Sequence, residues 1–112
     1  KFIAAASNAL ETHFPGVRII CFGHLGDGNL HFNAFVPGRA RSEAQARAAT
    51  DVNRIVYDIV YQFGGSVSAE HGIGQSKREE LKHYKSEVEL ELMRTLKQAL
   101  DPHNLMNPGK VL

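Results

Sequence analysis

The chain has 112 residues, with 13 Lys+Arg against 12 Asp+Glu, a formal net charge of +1 and 43% hydrophobic residues. That length fits one domain with one modest core, and the near-neutral balance gives no electrostatic reason to expect nucleic acid or an acidic membrane surface as a partner. No apolar run approaches the roughly 20 residues of a bilayer span, and the opening "KFIAAASNAL" is too weakly apolar, and too soon followed by Glu11, to serve as a signal peptide.

A soluble, cytoplasmic protein is therefore expected. The single cysteine, Cys21, lies in an apolar run and has no internal disulfide partner, which fits a reducing compartment. Its simplest role is that of a small buried hydrophobe. The chain opens without an initiator methionine and partway into a helical pattern, so a fragment of a longer protein is expected.

In chain order, residues from about Phe2 to Phe14 suit a helix with Phe2, Ala6, Ala9, Leu10 and His13 near one stripe, stopped by Pro15-Gly16. Val17 to His24 is rich in strand formers, and Leu30 to Val36 alternates apolar with mixed residues as a half-buried strand does. The Gly-Asp-Gly-Asn stretch between them predicts an antiparallel hairpin. Ser42 and Gln45 form a capping-box pattern opening a long helix, with Val52, Ile55, Val56, Ile59, Val60 and Phe63 at helical spacing and Gly64-Gly65 as its stop. A short strand is expected over Ser66 to Glu70. Capping boxes at Ser76/Glu79 and Ser86/Glu89 then predict a short helix and a longer one that ends at Asp101-Pro102. The charge-rich "SKREELKHYKSEVELE" reads as a solvated helical face.

Helix, strand, strand, helix, strand, helix, helix favours an α+β layer. The arrangement that fits best is a ferredoxin-like half-sandwich, an antiparallel sheet with helices packed on one face, lacking a strand that would lie upstream of Lys1.

The chemistry-bearing residues gather around the hairpin. With Gly26 to Asn29 as its loop, Leu25 faces Leu30, His24 faces His31 and Phe22 faces Asn33. Residues two apart share a strand face, and opposed residues have Cβ atoms about 5 Å apart, so His24, His31 and Asn33 converge on one surface. That spacing suits two ligands of one metal ion, whereas a one-residue register error would part the histidines. "SVSAEHGIG" delivers Glu70 and His71 beside a glycine loop that allows close approach. Two imidazoles and one carboxylate form a common ligand set for a catalytic divalent metal with open positions. Glu70 is accordingly assigned to the metal and His71 to proton transfer. "GDGN" lacks the spacing and terminal glutamate of an EF-hand, so Asp27 reads as a turn residue. "HGIG" lacks the Lys-Ser/Thr of a phosphate loop.

Three segments in series, "GHLGDGNLHFN", "SAEHGIGQSKREEL" and "LDPHNLMNPGKVL", resemble the C-terminal domain of the flavin-linked D-2-hydroxyacid dehydrogenases, among them D-lactate, glycolate and D-2-hydroxyglutarate dehydrogenases. The resemblance covers almost the whole chain. It implies a ferredoxin-like domain that caps FAD held mainly by a separate N-terminal domain, with a small 2-hydroxyacid as substrate. It further implies His24, His31 and Glu70 as ligands of a divalent metal, typically zinc, Asn33 as a contact to the substrate carboxylate, and His71 as the base that removes the hydroxyl proton. Asn107, in "NPGK", would lie near the flavin. Asn33 tilts the resemblance towards D-2-hydroxyglutarate or a similar acid, and Glu70 argues against the related ether-lipid synthases.

The chain holds no glycine-rich flavin-binding segment, so alone it is expected to be inactive and to depend on the FAD-binding domain of the same protein. In an isolated fragment an exposed flavin-facing surface would favour artificial pairing, a homodimer among the outcomes, and the oligomeric state is left open. The electron acceptor is left open. The competing expectation is a free-standing ferredoxin-like module that uses His24, His31 and Glu70 to bind metal or sense a ligand without redox chemistry.

Overall fold

The computed structural model describes residues 1–38 and 43–112, which divide into two compact units, Lys1–Val67 and Ser68–Leu112. The first unit contains α1 (Phe2–His13), β1 (Arg18–His24), a single 3-10 turn (Leu25–Asp27), β2 (Asn29–Phe35) and α2 (Glu43–Gln62). The second contains α3 (Arg78–Tyr84) and α4 (Glu87–Leu100). The class is α+β, with one two-stranded antiparallel sheet among the described residues.

Helix α1 places Ala6 and Leu10 one turn apart, and both are fully buried where α1 packs against α2. On α2, Ala48, Val56 and Ile59 supply the facing stripe. The sheet joins this core through aromatic rings. Phe2 of α1 meets Phe32 of β2 edge-on at 6.0 Å and Phe63, just beyond α2, at 6.1 Å, within the range favoured by aromatic pairs. Ile19, Cys21, Phe32 and Ala34 are half-buried on this side of the hairpin, while Ile20, Phe22 and Phe35 on the other side are exposed. The hairpin thus keeps one face for the helices and leaves the other open.

Gly64 ends α2 as the sequence suggests. With φ at +69° it takes the left-handed position, its amide donates to the Tyr61 carbonyl and the Gly65 amide donates to the Val60 carbonyl, the two bonds of a Schellman stop. The Ser86/Glu89 capping box also forms: the Ser86 hydroxyl accepts from the Glu89 amide, and the Glu89 carboxylate accepts from the Ser86 amide at 3.0 Å.

Other expectations are corrected. Residues Ser66–Glu70 form no strand but run as coil and bends, since the sheet among the described residues consists of β1 and β2 and does not extend to them. Helix α3 begins at Arg78 with Lys77 at its N-cap and no side-chain cap bond, so Ser76 does not cap it. The Glu79 carboxylate instead accepts from Lys82 at 2.7 Å. The Ser42/Gln45 box falls outside the described residues.

The Lys85 ammonium beside Glu89, with hydrogen bonds from the Ser86 amide and hydroxyl, lowers the Glu89 pKa from the ordinary 4.5 to about 2. A depressed carboxylate contributes stability that is complete above its unfolded value and lost as pH falls through the folded one. The start of α4 is therefore expected to loosen between about pH 4.5 and about pH 2. Titrating the Glu89 side chain by NMR checks this, and a midpoint at the ordinary value would show that the cap does not form.

Candidate functional site

The geometry of the hairpin follows from where its turn closes. Leu25 to Asp27 make one 3-10 turn, the Gly28 amide donates to the Leu25 carbonyl at 3.3 Å, and Gly28 adopts a left-handed φ of +64°. Strand β2 then starts at Asn29, which pairs with His24 rather than belonging to the loop. The register is His24 with Asn29, Phe22 with His31 and Ile20 with Asn33. This corrects the expected pairing of His24 with His31 and of Phe22 with Asn33. The offset is two residues, an even number, so no side chain changes face. His24, His31 and Asn33 still share one surface, with the histidines on a diagonal instead of directly opposed.

The two imidazole rings lie 6.2 Å apart, centroid to centroid, inclined at 64°. His24 is exposed and His31 half-buried. With metal–nitrogen bonds of about 2.1 Å, two imidazoles on one zinc ion would have ring centres about 5 Å apart, so a side-chain adjustment of about one ångström reaches that spacing. The donor set therefore fits a divalent ion.

Gly23, between Phe22 and His24, is required by a close backbone approach. A Cβ at this position would fall 2.0 Å from the Asn29 carbonyl oxygen and 2.9 Å from the Leu30 Cα. No L side chain fits unless the end of the ladder beside His24 opens.

Glu70 and His71 belong to the second unit and lie on a bend, not at the end of a strand. Their carboxylate and imidazole are 3.8 Å apart, with Glu70 41% and His71 84% exposed at the side chain. The Ser68 hydroxyl donates to the Gly72 carbonyl across this bend, and Gly72 and Gly74 both take positive φ. The loop thus holds the two functional groups side by side and faces the imidazole towards solvent.

Asn107 lies in the exposed tail after α4, with φ at +50° and its carbonyl accepting from the Lys110 amide. The tail is fixed at both ends. Asp101, 5% exposed, accepts the Leu105 amide at 2.8 Å, the Met106 amide at 2.9 Å and the Lys97 ammonium. Lys97, aided by the two amides, holds the Asp101 carboxyl below the usual carboxylate range against the opposing effect of burial. At the other end, the Val111 amide donates to the Gly74 carbonyl at 2.7 Å and Lys110 reaches the Gln75 side chain at 3.2 Å. The loop carrying Glu70 and His71 and the tail carrying Asn107 are joined within one unit.

The model of the family described as "FAD linked oxidases, C-terminal domain" matches residues 1–111. A D-2-hydroxyglutarate dehydrogenase of Stutzerimonas stutzeri is 41% identical over 98% of this chain and 24% of its own length. One from Xanthomonas citri pv. viticola is 44% identical over 98% of the chain and 23% of its own length. A D-lactate dehydrogenase of Archaeoglobus fulgidus is 37% identical over 95% of the chain and 22% of its own length. This chain belongs to the FAD linked oxidase C-terminal domain family, and it spans about a quarter of the length of these relatives. No helix among the described residues is long and apolar enough to cross a membrane.

The sequence pattern assigned no role at the site to Phe22, Gly23 or Asp101. Asp101 could have been found from the Asp-Pro step at a helix end, where a carboxylate can reach the amides that follow. Gly23 carries a signal too, as a lone glycine inside a strand pattern marks a close backbone approach.

Gly23→Ala is expected to destabilise the first unit by roughly 1–3 kcal/mol and to lower the amide protection at the His24–Asn29 end of the ladder. Denaturant titration with hydrogen exchange measures both, and unchanged protection would show that the ladder accepts a Cβ here.

Proposed function

We propose that this chain is the substrate- and metal-side domain of an FAD-dependent dehydrogenase that oxidises a D-2-hydroxyacid, of the D-lactate or D-2-hydroxyglutarate kind, to the 2-oxoacid. The supporting observation is a pair of imidazoles 6.2 Å apart on one exposed sheet face, in a chain of this family whose relatives carry those names. Flavin held by another part of the polypeptide, in the cytoplasm, is part of the same proposal.

His24, His31 and Glu70 are the ligands we assign to a divalent ion, with zinc suited to two imidazoles and a carboxylate. Such an ion would acidify the substrate hydroxyl, and flavin would accept the hydride. The chain's own residues do the rest. Asn33, on the face of the histidines, offers an amide to the substrate carboxylate. His71 takes the hydroxyl proton at a ring nitrogen as the C–H electron pair departs, leaving the carbonyl of the oxoacid; its exposure on the glycine loop gives a substrate access to that nitrogen. Asn107, on the anchored tail, is assigned to the flavin side.

Elemental analysis of the purified chain beside a His24→Ala/His31→Ala variant tests the ligand set. Near-stoichiometric divalent metal, lost in the variant, is expected. Metal content equal in both would remove the histidines from the site. In the polypeptide that joins this chain to its flavin-binding part, His71→Ala is expected to lower kcat by about 10²- to 10⁴-fold while metal content stays unchanged, which activity assays and the same analysis would read.

A further inference from the structure

Phe22 stands on the open face of the hairpin, 57% exposed, where it contributes little to the buried core. It is the cross-strand partner of His31, and the two rings stack with centroids 4.8 Å apart and planes inclined by only 10°. An imidazole turns about a broad, roughly two-fold torsion at χ2, so the backbone of β2 alone does not set its plane. A ring laid flat on one face removes that freedom. It leaves the edge of the imidazole open, and the edge is where both nitrogens and their lone pairs lie. A face stack therefore orients His31 without blocking ligation. His24 has its backbone partner in Asn29, not in an aromatic residue, so the stack acts on one histidine of the pair.

We infer that Phe22 is a positioning residue for His31, holding its ring in the plane from which a nitrogen can reach the ion shared with His24. This rests on the metal assignment above. Arg18 and Ile20 complete the β1 side of the same face, and Phe35 lies opposite Arg18 at its far end, 55% exposed. Phe35 is thus an internal control: a second exposed phenylalanine on the same sheet face with no imidazole paired to it.

The test titrates zinc into the chain and into Phe22→Leu, Phe22→Tyr and Phe35→Leu, with the His31 ring-proton shifts recorded for each. Phe22→Leu is expected to weaken zinc binding by about two- to tenfold, the range that a stacked aromatic pair confers, and to release the upfield ring-current shift of His31. Phe22→Tyr should restore both, and Phe35→Leu should alter neither. Zinc bound equally tightly by the native chain and Phe22→Leu would overturn the inference and leave the metal assignment standing. No zinc uptake by any of the four proteins would overturn both. Loss of folding in Phe22→Leu, read from its amide spectrum, is separated by Phe22→Tyr: weak binding in a folded Tyr variant that keeps the ring-current shift would also overturn the role.

Discussion

Pairing of β1 with β2 is the constraint on which the candidate site depends. Side chains on a strand alternate between faces, so the position at which the turn closes decides whether two histidines on different strands can meet at all. Closure is set by backbone conformation at one residue. Gly28, in the left-handed region, ends the 3-10 turn and returns the chain to Asn29 in phase with His24. Gly23 reinforces the same register from the other strand, because its missing Cβ lets the carbonyl of Asn29 come close. The two imidazoles meet because two glycines permit it. On the opposite face, Phe2, Phe32 and Phe63 tie the hairpin to the helices, so the open face does not have to supply the core.

The second unit works by different physics. It buries few large side chains, Leu81 and Leu90 among them, and leaves Val88, Leu92, Leu96 and Leu100 of α4 exposed. Polar bonds define its shape where apolar burial is scarce. The Asp101 carboxylate has three donors, and a buried charge tolerates loss of water when its lone pairs are occupied in this way. The tail that follows belongs to no regular element and is bonded to Asp101 at its start and to Gly74 near its end.

Much of the architecture was legible in the sequence because its signals are local. Apolar spacing marked α1, α2 and α4, Gly64 marked the end of α2, and Ser86 with Glu89 marked the start of α4. What failed depended on distant partners. Ser66–Glu70 has strand-like composition, but only a neighbouring strand can make it one. Asn29 is a turn-forming type that pairs in the ladder, since Gly28 had already closed the turn. Ser76 matched a capping pattern but precedes the helix by one residue too many, with Lys77 taking the N-cap. The shared face of His24, His31 and Asn33 was legible despite the wrong register, because an error of two residues leaves the parity of a strand intact. The stack of Phe22 on His31 was not legible, as it exists only in the true register.

The bond from the Val111 amide to the Gly74 carbonyl carries a further consequence. It closes α3 and α4 into a ring that is non-covalent at a single seam, between segments far apart along the chain. Closing a ring of that size has an entropic cost that grows only slowly with its length, so a few bonds at the seam offset much of it. When the seam opens, Gly74 loses its bond to Val111, while the Ser68 hydroxyl on the Gly72 carbonyl still closes the bend that carries His71. Two stretches that look independent in the sequence, 74–75 and 110–111, therefore share one seam.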